Sequence, residues 1–593
     1  MRIKPGASRY LIDLGVYLGA ALTCCALTFW LLALWRADLR IPFAYGVHDE
    51  LTVAIGAKWL IENPWIFSNP HLGMPFGSTM FNYAQPDVFH YLVVKLLGLT
   101  TRHFGLVMNL FYLLTFPATC LSTLYVLRQF RLGYPAAFLG SLLYTFLPYH
   151  FMRGEVHLFL SAYYLVPLVA LLMFRIASDN PPFFKQGPGR WPQLRWSQGA
   201  SLLGLVVCVI AGSSGVYYAF FDCFLIMITG IAAGAAQRRL APLFSAMALT
   251  GIIALTVLLC LSPHLIHGHG NVSWRVSGDA ETYALKITQL LLPVSGHRLP
   301  QWAALKNSYY HAAPLVNEND AATLGLVGSA GLLLLLGWTC LRLMGGNFRW
   351  LEREDQHILD VAALLTLAAT LLATTGGLGS IFAVLVSPLI RSYNRISVYI
   401  AFFALLAIAL SVDRGLGRRT TKLFSRLGYF VGVALLTAMG LADQTTPGFI
   451  PNYRAIGLAF RSDARFVRSI EQLLPPGAMV FQMPYRAFPE ASSYDLARGY
   501  LHSRILRWSY GAIANERSDF WQRDVQYQQL PIMLERLKDA GFAGIYLDRS
   551  LYPDNGATLE RDLRKSLGEE PIVSAESALS FFSLQNYTAP VHP

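Results

Sequence analysis

Apolar runs of about twenty residues recur from position 10 to about position 445, beginning with "YLIDLGVYLGAALTCCALTFWLLALW". Each is long enough to cross a hydrocarbon layer of ~30 Å as a helix, and a chain that carries many of them has few folds open to it. Only 14% of the 593 residues are charged and 54% are hydrophobic, whereas soluble domains carry roughly 25% charged residues. The chain reads as a polytopic α-helical membrane protein. Helices are expected near 10–35, 103–127, 135–150, 160–176, 199–213, 216–235, 240–263, 322–342, 360–375, 396–412 and 427–444, about eleven spans. Between the fifth and the sixth, "GSSGVYY" suits either a tight outer turn or a break within one long helix.

The net charge of +12 records topology rather than a nucleic-acid partner. Lys and Arg gather in alternate connectors: Arg2, Lys4 and Arg9; Arg128 and Arg131; Arg175, Lys185, Arg190 and Arg195; Arg238 and Arg239; Arg342, Arg349 and Arg353; Arg414, Arg418, Arg419, Lys422 and Arg426. Basic connectors mark the cytoplasmic side, which puts the N-terminus inside and the C-terminus outside. The first apolar run, at about 26 residues, is too long for a signal-peptide core and is expected to remain as a helix. All seven cysteines fall in apolar segments, so neither a disulfide framework nor a Cys-based metal site is supported.

Two units follow: a membrane domain over 1–445, with a long outer loop at 36–102, and a soluble outer domain over 446–593. In the second unit "RFVRSIEQLL" and "LPIMLERLKDAG" read as helices, and "GAMVFQMPY" and "FAGIYLD" as strands, a small α/β domain. The stretch between, "EASSYDLARGYLHSRILRWSYGAIANERSDFW", has no assignable element. Within the outer loop, "DELTVAIGAKWLIE" and "VFHYLVVKLLG" read as short amphipathic helices lying in the interface.

Four groups of residues carry possible chemistry. "YGVHDELT" sets His48, Asp49 and Glu50 in a row soon after the first span. Asp49 suits a helix N-cap; equally, a carboxylate among aromatics at the membrane surface has a raised proton affinity and can take a proton from a hydroxyl. "PYHFMRGEVHLFL" brings His150, Arg153, Glu155 and His157 to a short outer connector, as interfacial anchors or as site residues. Arg391 and Arg395, in "RSYNR", run against the charge rule on the outer side. If helical, they share one face suited to a phosphate; the bland alternative is snorkelling to headgroups. His264, His267 and His269 have metal-like spacing in a loop that also collects histidines for other reasons. No nucleotide-binding loop occurs, so a pre-activated, membrane-embedded donor would supply the energy.

A first helix, a long outer loop with an acidic motif, about eleven spans and an outer C-terminal domain together resemble the GT-C superfamily of polytopic glycosyltransferases. "NPHLGMPFGSTMFNYAQPDVFHYLVVKLLGL" is similar to the loop of bacterial GT-C-like proteins of the YfhO group. The resemblance implies a bacterial cytoplasmic-membrane enzyme that moves a sugar from a polyprenyl-phosphate donor to a lipid or glycan acceptor of the cell envelope. It implies Asp49, with Glu50 beside it, as the catalytic carboxylate; His48, Arg153, Glu155, His157, Arg391 and Arg395 are the expected substrate-binding residues around it. It assigns no metal ligand, although a divalent metal is possible in such enzymes. The competing reading is a transporter or flippase of lipid-linked sugars, which needs polar groups buried within the spans.

Overall fold

The computed structural model describes residues 7–46, 48–196, 199–268, 275–346, 351–417, 423–489 and 493–587. Arg2, Lys4, His269, Arg349, Arg418, Arg419 and Lys422 lie outside the described residues.

Among the described residues, eleven apolar helices overlap the stretches that hydropathy marks: Ala7–Leu31, Phe104–Gln129, Tyr134–Thr145, Val166–Ala177, Ala200–Gly212, Val216–Gln237, Ala241–His267, Gly325–Leu343, Arg353–Ala373, Ser397–Val412 and Leu423–Gln444. Among the described residues, eight are long and apolar enough to cross a membrane. The other three, Tyr134–Thr145, Val166–Ala177 and Ala200–Gly212, have 12, 12 and 13 residues. At ~1.5 Å per residue each reaches about 20 Å, short of a full bilayer core. Pro148, Pro167 and neighbouring turns interrupt the apolar runs that hydropathy reads as continuous.

"GSSGVYY" is a turn. Gly204 packs against Leu249 and Gly212 against Ile253 and Thr256, so Ala200–Gly212 runs parallel to Ala241–His267. Val216–Gln237 runs antiparallel to it, with Gly230 beside Ala246. The chain reverses at Gly215, whose φ of +116° is open only to glycine.

The connector after the first apolar helix folds against the C-terminal domain. That domain has a five-stranded sheet in which Met479–Met483 pairs in parallel with Arg507–Trp508 and Phe542–Asp548, followed by antiparallel Leu579–Ser583 and Ile572–Val573. Helices Tyr453–Leu473, Leu530–Asp539 and Ala557–Leu567 accompany it. The stretch that resisted assignment holds helices Ala497–His502 and Arg517–Gln526 and the short edge strand Arg507–Trp508. This edge binds the first outer loop: Trp508 N–H donates to His71 O at 2.8 Å, and Gly73 N–H to Tyr510 O at 3.0 Å.

The helix Asp49–Glu62 forms as expected but is not an amphipathic surface helix. It buries Leu51, Ala54, Ile55, Ala57, Trp59 and Leu60 around its circumference, between membrane helices and the C-terminal domain. Its one buried lysine explains how a polar group survives there. Lys58 Nζ donates to the carbonyls of Tyr500 and Ser503 at 2.5 Å each and of Leu501 at 3.3 Å, closing the end of helix Ala497–His502. Replacing Lys58 by Met keeps the apolar stem and orphans these carbonyls, at about 1–3 kcal/mol. Lys58→Met is therefore expected to lower the thermal midpoint of the detergent-purified chain and to speed amide exchange at 497–503. An unchanged midpoint would mean that the latch adds nothing.

Candidate functional site

The loop after the first apolar helix delivers Asp49 to the site. His48 occupies the cap position of helix Asp49–Glu62, in extended backbone and with no side-chain capping bond, so Asp49 is the first helical residue rather than the cap. Its side chain is half-exposed, and Oδ2 lies 3.4 Å from Nε2 of His157. Burial pushes the Asp49 carboxyl up, the Glu50 charge adds to this, and Arg395 opposes it. His157 is pushed down to about 3 by burial and by Arg153 and Arg395, so it is a neutral imidazole. A carboxylate of raised proton affinity beside a neutral imidazole is a fit acceptor for a hydroxyl proton.

The other residues of the two motifs stand around this pair. Glu50 is buried, packs against Gly46, and has one oxygen without a partner. His48 is exposed at the loop surface. Glu155 is buried behind the loop, where its Oε2 accepts from Ala44 N–H at 3.0 Å; burial pushes its carboxyl up to about 8. His150 is fully buried away from the others, between Thr145 O at 2.8 Å and Thr115 Oγ1 at 2.8 Å.

Sequence reasoning missed the residue that ties the arrangement together. Glu318, from the segment between Ala241–His267 and Gly325–Leu343, accepts from Arg153 Nη1 at 2.6 Å and Asn394 Nδ2 at 3.1 Å and pairs with Arg395 at 3.3 Å. Arg153 Nη2 also donates to Glu318 O at 3.0 Å and to Asn394 Oδ1 at 2.9 Å. Burial alone would raise the Glu318 carboxyl, but Arg395 and Arg153 overcome it and hold it well below the usual range. Within "LVNENDAAT" nothing but its place in an outer loop could have flagged it.

Arg391 and Arg395 do not share a helical face. Arg391 precedes the turn Tyr393–Ile396, and only Arg395 lies in it. Arg391 pairs with Asp279 at 3.3 Å and lies over the ring of Tyr283, whereas Arg395 lies 4.2 Å from the ring centroid of Tyr217. Arg275, also missed, joins them: all three guanidiniums act electrostatically on Tyr217. This concentration of guanidiniums around Tyr217, of which Arg395 also acts on Asp49, suits an anion.

The histidine group is otherwise employed. His264 lies between Phe81 O at 3.2 Å and Gln85 N at 3.4 Å, and His267 packs on Phe81. Among the described residues no three His, Cys, Asp or Glu are grouped to hold a metal ion.

No family model matches the chain, and no curated protein matches its sequence. Its fold does match: it is the GT-C fold of a multi-pass membrane protein. The structure is similar to that of ArnT from Cupriavidus metallidurans in the apo state, with a TM-score of 0.52 and 13% identity over 98% of both chains. It is also similar to the arabinofuranosyltransferase AftD from mycobacteria, with a TM-score of 0.50 and 13% identity, covering 96% of this chain and 41% of that one.

Glu318→Gln leaves Arg153 and Arg395 without their counter-charge, which costs about 3–5 kcal/mol when a buried pair is broken. A carboxyl held low in the fold contributes stability that is complete above its unfolded pKa of ~4.3 and is lost as pH falls through the native value. The thermal midpoint of the wild type should therefore fall more steeply than that of Glu318→Gln below about pH 4.5. Parallel curves with equal midpoints would remove the ion-pair role.

Proposed function

We propose that the chain is a GT-C-type glycosyltransferase of the outer face of a bacterial cytoplasmic membrane, moving a hexosyl or pentosyl group from a polyprenyl-phosphate donor to a lipid or glycan acceptor. The observation that carries the reading is the contact of Asp49 with neutral His157 beside Arg395, at the start of the first outer loop of a GT-C fold. The acceptor oxygen attacks the anomeric carbon while Asp49 takes its proton, and the anomeric C–O bond breaks with its electron pair passing to the polyprenyl phosphate. His157 orients Asp49. Arg395, Arg391 and Arg275 offset the charge that grows on the leaving phosphate. Glu318 keeps Arg395 and Arg153 in register, and Glu155 holds the loop backbone at Ala44. One displacement inverts the anomeric configuration.

The flippase reading has less support. Asp13 and Asp222, which lie within the apolar helices Ala7–Leu31 and Val216–Gln237, are each bonded by a tyrosine hydroxyl, from Tyr134 and Tyr399 respectively.

Asp49→Asn preserves size but cannot take a proton, and loss of a general base costs ~10²–10⁴ in rate. Transfer from a polyprenyl-phosphate sugar by the purified variant should fall by that factor while its chromatographic profile in detergent stays that of the wild type. Near-normal transfer would return Asp49 to a purely structural role. The orientation has its own check. Ala557→Cys is expected to react with an impermeant thiol reagent in spheroplasts above the background of the native cysteines, and Gln193→Cys only after lysis. The reverse pattern would invert the topology and carry the site to the wrong side.

A further inference from the structure

Helix Tyr453–Leu473 follows the last apolar helix and crosses the ends of two others, Ala7–Leu31 and Phe104–Gln129, which pack against each other. The Tyr453 hydroxyl donates to Leu32 O at 2.6 Å, just past the end of the first. The Phe460 ring lies 6.0 Å from that of Phe104, the first residue of the second. The first two turns of the helix therefore run along the membrane surface rather than away from it, on the side of the C-terminal domain.

Its exposed face carries Arg454, Leu458, Arg461, Arg465 and Arg468, in steps of four, three, four and three residues that keep to one side of a helix. At ~100° per residue this stripe is turned about 110° from Tyr453 and Phe460, so it looks sideways along the surface. The neighbouring segments extend it. Arg36, Arg40 and Arg102 are exposed at the ends of the same two apolar helices, and the Arg40 carbonyl closes on Gly105. Among the described residues none of these arginines forms an ion pair, whereas Arg498, Arg523, Arg549 and Arg564 of the same domain are each paired with a carboxylate. Like charges three and four residues apart destabilise a helix, so the row calls for counter-charge from outside the chain.

Apolar groups interleaved with the arginines say where that counter-charge lies. Leu458 is 54% exposed, Trp35 51% and Trp30 70%. The two indole rings lie 5.5 Å apart, and Arg36 stands over Trp35 at 5.9 Å. Helix Ala7–Leu31 is itself mostly exposed, so lipid reaches this edge of the bundle. Tryptophan and arginine gathered at the end of a span mark the headgroup level of a membrane. A water-soluble polyanion would give the exposed leucine and tryptophans nothing to bury against.

We propose that this arginine face binds the headgroups of anionic phospholipids in the leaflet on the side of the C-terminal domain, docking helix Tyr453–Leu473 to the membrane as well as to the protein. The phosphates answer the guanidiniums, and Leu458 and Trp35 enter the interface between them.

The test is amide exchange on the full chain in nanodiscs of phosphatidylcholine, with and without about one third phosphatidylglycerol. It involves no sugar transfer, so its failure and that of the transfer reading are separate. Phosphatidylglycerol is expected to slow exchange at 33–40 and 453–470 at least threefold in the wild type, and salt at about 0.5 M should reverse this. The variant with Arg454→Gln, Arg461→Gln, Arg465→Gln and Arg468→Gln should exchange alike in both lipids. Lysine at the same four positions should keep most of the slowing, because a point charge suffices at an anionic surface. Arg36→Gln with Arg40→Gln, which leaves the helix intact, should halve the effect. Equal exchange of the wild type in both lipids, or full slowing in both glutamine variants, would overturn the proposal. So would slowing by dextran sulfate in pure phosphatidylcholine that phosphatidylglycerol does not produce, which would make this a face for an anionic glycan.

Discussion

The buried knot around Glu318 is the constraint on which the candidate site depends. Its carboxylate joins Arg153, Asn394 and Arg395, side chains from the connector after the third apolar helix and from the turn before Ser397–Val412, with its own loop between them. An isolated guanidinium inside this structure would be costly; three polar groups meeting one carboxylate make the arrangement tolerable and fix it. Because Arg395 also acts on Asp49 and His157, the same knot sets the electrostatics of the candidate base. Packing and chemistry here are one network.

A second constraint is the capture of the loop after the first apolar helix. Lys58, Tyr45 and Gly46 are gripped from the C-terminal domain by carbonyls, by Asp463 and by Arg498, while Glu155 holds Ala44 from the membrane side. Asp49 sits at the end of a short segment fixed on both sides. A catalytic group benefits from this kind of positioning, because a small displacement of a reacting group can cost much of its rate contribution.

Much of this was legible in the sequence because hydropathy is a local signal. All eleven apolar helices overlap their expected places, with ends up to seven residues away, and the strands Met479–Met483 and Phe542–Asp548 lie where they were expected. What was not legible depends on distant partners. Helix Asp49–Glu62 read as interfacial because nothing in its sequence announces that Tyr500 and Ser503 will receive Lys58. The spacing of Arg391 and Arg395 implied a shared face only if the backbone were helical, and it is not at Arg391. Asp49 read as a cap, yet the helix starts one residue earlier than a cap there would require. Glu318 lies 165 residues from Arg153, and no pattern in one sequence spans that distance.

The central claim is that this outer-face constellation breaks the bond between sugar and lipid phosphate rather than carrying the intact lipid across. The measurement that separates the two is made in sealed vesicles that contain the purified chain and a polyprenyl-phosphate sugar labelled in the sugar, with acceptor supplied on the side of the C-terminal domain. Mass spectrometry of the recovered lipid should then show polyprenyl phosphate stripped of its sugar in step with labelled product. Recovery of the intact lipid-linked sugar, relocated to the opposite leaflet and with no free polyprenyl phosphate, would contradict the account.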